Sequence, residues 1–355
     1  MTDQPGQPRR STRDLPKAHL HLHFTGSMRI ETLRELARER GLRLPEALLA
    51  DWPPRLSAAD ERGWFRFQRL YDAARACVRG EDDLRRLVRE AAEDDAAEGS
   101  RWLELQVDPT SYAQPVGGIT PALEIILDEA RSASADTGTG VGVVVAASRI
   151  RHPLDARTLA RLAARHAGDR PGEVVGFGLS NDERRGSTPE FAKAFEIARD
   201  AGLASVPHSG ELLGPAAVSQ TLDSLGPDRL GHGVRSAESD VVLDRVVDAG
   251  VALEVCPASN VALGVYPGLP DVPLRRLVDA GATVALGADD PLLFGADVVD
   301  EYMSAHERMG VPEALLVEVA GTSIESSFAP ADVKRDALRR LGAWEDGAAW
   351  QDGDA

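Results

Sequence analysis

Three widely separated segments carry residues whose types and spacing could hold a metal ion. His21 and His23 stand two apart in KAHLHLHF (17–24). On an extended strand, residues two apart share a face and lie about 7 Å apart, which lets both imidazoles reach one ion at metal–nitrogen distances near ~2 Å. His208 closes the apolar run LASVPH (203–208), and Asp289 follows TVALGA (283–288). Together they offer three nitrogens and one carboxylate oxygen, a borderline donor set that suits zinc with one position left open for water. Iron or cobalt could take the same ligands in vitro. Glu211 and Asp290 lie beside these segments, His232 ends a further run, RLGH (229–232), and all three supply groups able to move protons. Each sign has a plainer reading alone: an HxH pair as strand pattern, a strand-end histidine as a packed structural residue, Asp289-Asp290-Pro291 as a turn or helix cap. Their joint placement favours the metal site. His19 is expected on the same strand face as His21 and His23 but deeper, as a packed residue. His152, His166 and His306 fall in loop or helix contexts and read as surface residues, and Cys256 as buried packing.

These residues need a scaffold that brings distant strand ends together. Eight apolar runs serve as strand candidates: 17–24, 102–107, 141–147, 174–179, 203–208, 229–232, 251–256 and 283–288. Patterns with apolar residues at i, i+3 and i+4 lie between most of them, as in ETLRELARERG (31–41) and DLRRLVREAAEDDAAEG (83–99). Alternation of this kind marks a parallel α/β sheet. Eight repeats predict a single (β/α)8 TIM barrel with a helical insertion between strands 1 and 2, over residues 25–101; a doubly wound open sheet is the alternative. In a barrel the chemistry sits at the C-terminal strand ends, where His21, His23, His208, His232 and Asp289 fall. Residues 1–14 read as a disordered leader, 15–342 as the barrel domain and 343–355 as an acidic flexible tail.

The formal net charge is −17, which argues against a protein that grips nucleic acid through phosphates. No apolar run approaches the roughly 20 residues that span a bilayer. The polar N-terminus lacks the apolar segment of a secretory signal, and two cysteines, Cys77 and Cys256, are too few for a disulfide framework. A cytoplasmic location is therefore expected; oligomeric state is left open. Only three lysines occur, Lys17, Lys193 and Lys334. None falls in strands 3 to 5, where a barrel with two bridged metals commonly carries a carbamoylated lysine, so one ion per chain is expected.

The chain resembles the adenosine deaminase family through LPKAHLHLHFTGS (15–27), GFGLSNDE (176–183), PHSGE (207–211), RLGHGVR (229–235), LEVCPASNV (253–261) and LGADDPLLFG (286–295). The resemblance implies that His21, His23, His208 and Asp289 bind one Zn2+, that Glu211 protonates purine N1, and that His232 orients the attacking water and assists its deprotonation. It further implies that Asp290 bonds N7, that the backbone around Asn181 faces N3, and that WFRFQRLY (64–71), with Phe65, forms an apolar lid. The implied activity is hydrolytic deamination of a purine nucleoside, adenosine or 2′-deoxyadenosine. The sequence departs from the pattern at Thr25, where an acidic residue associated with the ribose is usual, and at Gly178, Asn181 and the pair Arg184-Arg185. These departures bear on the sugar end. They raise a 5′-modified adenine nucleoside such as aminodeoxyfutalosine, whose carboxylate Arg184 and Arg185 could meet, and adenine itself as alternative substrates. A catalytically silent nucleoside-binding protein and an amidohydrolase acting on a pterin or cyclic amide are readings of another class.

Overall fold

The computed structural model describes residues 11–49, 52–54, 56 and 61–347. Eight strands, β1 (Lys17–His23), β2 (Ser100–Val107), β3 (Gly140–Ser148), β4 (Val174–Ser180), β5 (Ala204–Ser209), β6 (Arg229–His232), β7 (Ala252–Val255) and β8 (Val284–Leu286), follow one another in sequence and in space. Every pairing from β1–β2 to β7–β8 is parallel. The expected barrel is therefore the observed one. Its strands are buried on both faces, inward against each other and outward against helices, which is why they read as near-continuous apolar runs.

The last seam is closed differently. β8 ends at Leu286, and the link back to β1 is made by Asp289, whose N–H donates to the His21 carbonyl at 3.0 Å and whose carbonyl accepts from the His23 N–H at 2.9 Å. The register of β1 against β2 also shifts between His19 and Leu22. That irregularity turns His19 outward, where its Nδ1 meets Asp95 at 3.0 Å and its Nε2 accepts from the Ala288 N–H at 3.0 Å. His19 is thus a packed structural residue, but it does not share the inward face of His21.

The insertion between β1 and β2 supplies three helices, α1 (Ile30–Glu39), α2 (Glu61–Arg75) and α3 (Glu81–Ala97). Two expected boundaries move. Residues Thr12–Asp14 form a 3-10 turn capped by the Ser11 hydroxyl, and the final helix runs Ala331–Glu345, past the expected end of the domain at 342. The rest of the expected leader and tail, 1–10 and 348–355, lies outside the described residues. Among the described residues no helix is long and apolar enough to cross a membrane.

The barrel axis holds charge. Arg229 donates to Glu254 Oε1 at 2.6 Å and also to Glu104, and all three are fully buried. Such a group is costly to desolvate but worse to leave half-paired, since removing one partner of a buried ion pair costs about 3–5 kcal/mol. Trp102 Nε1–H and the Phe328 N–H occupy Glu104 Oε1 at 3.1 and 2.7 Å, so the network is satisfied down to the base of the barrel.

Candidate active site

At the C-terminal end of the barrel the polar strand-end residues converge. His23 Nε2 lies 3.1 Å from His208 Nε2 and 3.2 Å from Asp289 Oδ1. His21 Nε2 is 3.6 Å from the same carboxylate oxygen and is buried with no hydrogen-bond partner. One ring nitrogen from each of His21, His23 and His208 falls within a common 4.8 Å. These spacings are close to the roughly 3.3 Å edge of a tetrahedron whose arms are ~2 Å long, so the four donors fit a zinc-sized ion. The tautomer fits as well: His21 Nδ1 is 2.7 Å from Glu254 Oε2, which leaves Nε2 as the free lone pair. Burial opposes protonation of His21, but the carboxylates of Asp289 and Glu254 outweigh it and raise the ring to about 10, a measure of how strongly this point attracts positive charge. Cys256 comes near His21 and Asp289 too, yet burial pushes its thiol well above the usual range, so it stays a neutral packing residue.

Beside this cluster sit the proton-handling groups. His232 Nε2 lies 3.7 Å from Glu211 Oε2 and 3.9 Å from Asp289 Oδ2. Burial lowers His232 to about 3, leaving a neutral ring. Burial and then the charge of Asp289 hold both Glu211 and Asp290 well above the ordinary carboxylate range. Asp289 goes the other way: burial opposes ionisation, but the contacts to His21 and His23 keep it well below. Two neighbouring carboxyls thus differ in charge through environment alone.

Backbone geometry explains how these side chains meet. Among the described residues three non-glycines have positive φ, Asn181 at 80°, His232 at 64° and Asp289 at 61°. His232 ends β6, Asn181 and Asp289 lie just past β4 and β8, and all three line the same cavity. Left-handed backbone is unfavourable for residues bearing a Cβ and collects where a site needs a side chain aimed off the strand direction. Two glycines make room. A Cβ on Gly26 would fall on the Asp290 carboxylate, and one on Gly231 would come within 2.9 Å of both His208 Nδ1 and His21 Cε1.

The cavity over the cluster encloses about 70 Å³ and is roofed by α2. Trp64, Phe67, Gln68, Tyr71 and Arg75 line it, at the i, i+3, i+4, i+7 and i+11 positions of one helix face. Phe65 lies about 100° round the helix from Trp64 and is 64% exposed. The lid aromatics are therefore its neighbours, and the expectation for Phe65 is corrected. Thr25 is fully buried with its hydroxyl engaged by Tyr112 Oη, outside the cavity lining. Arg184 is tied to Asp182 at 2.8 Å, with Arg185 3.8 Å from the same residue, so neither faces the cavity. Asn181 and Asp290 do line it, and Asp290 Oδ1 is buried without a partner.

A second chamber of about 230 Å³ opens from the first across His23, Tyr71, Arg75 and Asn181. Gln106, Asp108, Ser148, Arg151 and Ser180 also line it. Gln106 Oε1, Ser148 Oγ and Arg75 Nε are buried there without hydrogen-bond partners. Sequence reading missed this chamber and missed Glu254. The available signal was polar residues inside largely apolar strands, Glu104 and Gln106 in WLELQV and Glu254 in VALEVC.

Known proteins match this chain over nearly its whole length. A Streptomyces coelicolor protein provisionally named adenosine/adenine deaminase is 59% identical over 339 residues, covering 94% of this chain and 98% of the relative. An adenine deaminase of Sinorhizobium medicae is 35% identical, covering 93% and 99% of the two chains. The crystal structure of an adenine deaminase from Arthrobacter aurescens superposes with a TM-score of 0.84 at 28% identity, covering 93% of this chain and 99% of that one. A zinc-bound amidohydrolase from Burkhoderia ambifaria shares the fold, with a TM-score of 0.82 at 24% identity, over 94% and 93% of the two chains. The family model described as adenosine deaminase matches residues 16–344, and since that stretch holds every strand and all the converging side chains, the chain belongs to the adenosine deaminase family of hydrolases.

Proposed function

We propose that this chain hydrolytically deaminates a 6-aminopurine nucleoside, adenosine or 2′-deoxyadenosine, using one zinc ion held by His21, His23, His208 and Asp289. The observation that carries the reading is the meeting of those four donors, three buried and His23 half-buried, with Glu211 and His232 beneath α2. Zinc bound there would supply the Lewis acidity that makes water available as a nucleophile at neutral pH. The protein's own groups do the rest. Glu211, held neutral by burial, hands its proton to purine N1, which makes C6 a better electrophile. His232, neutral and fixed beside Glu211, takes one proton from the attacking water and passes it to the 6-amino group, which leaves as ammonia, while the remaining hydroxyl proton returns to Glu211 as C6 becomes a carbonyl. Asp290, also neutral, donates to N7. The aromatic face of α2 keeps bulk water off the base.

The second chamber supports a nucleoside over a bare base. It is larger than the inner cavity, 230 against 70 Å³, and its unpartnered Gln106, Ser148 and Arg75 atoms match the hydroxyls of a sugar. A second reading is favoured by the guanidinium groups of Arg75 and Arg151 in that chamber: a 5′-modified adenine nucleoside bearing an anionic group, of which aminodeoxyfutalosine is an example. The test is a panel of adenosine, 2′-deoxyadenosine, adenine and a carboxylated 5′-substituted adenosine, followed by loss of the aminopurine absorbance, with zinc content measured on the same sample. Highest kcat/KM on adenosine or 2′-deoxyadenosine at one zinc per chain is expected. A clear preference for adenine overturns the nucleoside assignment, and no turnover of any member overturns the deaminase reading.

A further inference from the structure

Glu183, which follows β4, is 4% exposed, yet its carboxylate meets the backbone of another strand's end. Oε1 accepts from the Gly210 N–H at 2.7 Å and from the Ser209 hydroxyl at 3.3 Å. Oε2 accepts from the N–H groups of Glu211, Leu212 and Leu213 at 3.1, 2.8 and 2.8 Å. Four consecutive backbone donors therefore converge on one side chain. Only an ionised carboxylate has enough lone pairs and charge to satisfy them all.

What those donors belong to gives the contact its meaning. Only Ser209 and Gly210 separate His208, whose ring joins the proposed metal site, from Glu211, whose carboxyl sits 3.7 Å from His232. The chain must leave β5, reverse and send the Glu211 side chain back toward the centre. Gly210 makes the reversal at φ 71°, and a Cβ there would come within 2.6 Å of Val218. The turn is thus tight, with its amides all facing Glu183. On the other side of the same strand end, the Arg149 guanidinium donates to the His208 carbonyl and, at 2.9 Å, to the Thr188 hydroxyl. A cation holds the carbonyl, and an anion holds the amides that follow it.

We propose that Glu183 is a positioning residue for the deamination: its carboxylate fixes the 210–213 turn so that the Glu211 carboxyl faces the reacting ring. This rests on the role proposed above for Glu211. The Glu183→Gln side chain has the same shape but turns an N–H2 toward amides that need an acceptor. Glu211 is then free to drift by the order of 1 Å, a displacement that costs about 100-fold in rate where orientation matters.

The experiment is a double-mutant cycle on the full chain, with Glu183→Gln, Glu211→Gln and both, assayed on adenosine with zinc content and amide hydrogen exchange measured alongside. Glu183→Gln is expected to keep its zinc, keep KM within about threefold, lose kcat by about 10- to 100-fold, and exchange the 210–213 amides faster. In the Glu211→Gln background it should cost less than about twofold more, because two residues acting through one step are not additive. Glu183→Asp, which keeps the charge, should restore part of the rate, and it replaces the glutamine variant in the cycle if that variant does not fold. Equal fold-losses in both backgrounds, unchanged kcat, or a kcat loss accounted for by lost zinc each overturn the proposal. A wild-type chain inactive on every 6-aminopurine overturns the proposed function instead, whereas wild-type turnover with additive losses overturns only the role of Glu183.

Discussion

Glu254 Oε2 stands 2.7 Å from His21 Nδ1, and the other oxygen of the same carboxylate accepts from Arg229. The barrel's internal charge network thus ends on a side chain of the proposed metal site. Replacing Glu254 by Gln should weaken zinc binding by about 10- to 100-fold, the usual effect of losing the group that orients a ligating histidine. Competition against a chelator measures this directly. Turnover at saturating zinc should fall much less, since Glu254 does not touch the reacting ring.

Glu211→Gln separates metal holding from proton delivery. The variant should bind zinc as the wild type does and lose kcat by about two orders of magnitude or more, the scale of a lost general acid. Metal analysis and steady-state rates on one preparation check both halves. Loss of zinc in this variant would count against the assignment of roles.

The pH dependence follows from the same residue. Burial places the folded pKa of Glu211 above its unfolded value, and the neutral form is the one that works. Its contribution to stability is full below the ordinary carboxylate range and is lost as pH rises through the folded value. Activity should fall with it, as an alkaline limb in kcat/KM that is missing from the residual rate of Glu211→Gln. On the acid side the limb should coincide with zinc release, because protons compete for the imidazoles.

The roof of the cavity makes a paired prediction. Phe65 is exposed, so Phe65→Ala should change stability by no more than about 0.5 kcal/mol and leave KM unchanged. Phe67 is buried and stacks on Phe294 at 5.7 Å between ring centroids, with 7° between the planes. Phe67→Ala should cost about 3–5 kcal/mol and raise KM. Thermal unfolding and steady-state kinetics of the two variants test the phase of α2 against the cavity.

Much of this architecture was legible because its signals are local. The eight strands stand out as apolar runs since a closed parallel barrel buries both strand faces. His21, His23, His208 and Asp289 stood out because each ends such a run. Features that depend on tertiary contact were not legible. The slip in register that turns His19 toward Asp95 is set by pairing with β2. The left-handed backbone at Asn181, His232 and Asp289 falls on residue types that tolerate it better than most, but sequence does not say which of the chain's many such residues adopt it. The choice between Phe65 and Phe67 turned on a helix phase that a crowded aromatic segment, WFRFQRLY, does not reveal. Thr25 drew attention as a departure from a pattern, but its hydroxyl is spent on Tyr112.

Asp289 lends its side chain to the proposed metal site and its backbone to the join between β8 and β1. The ring of strands is therefore fastened by the same residue that would clasp the ion. Stripping the metal should loosen the hoop at that fastening before anywhere else, with the His23 and Asp289 amides losing protection ahead of those between β2 and β3. For a chain built this way, an empty centre and an opening barrel are two views of one event.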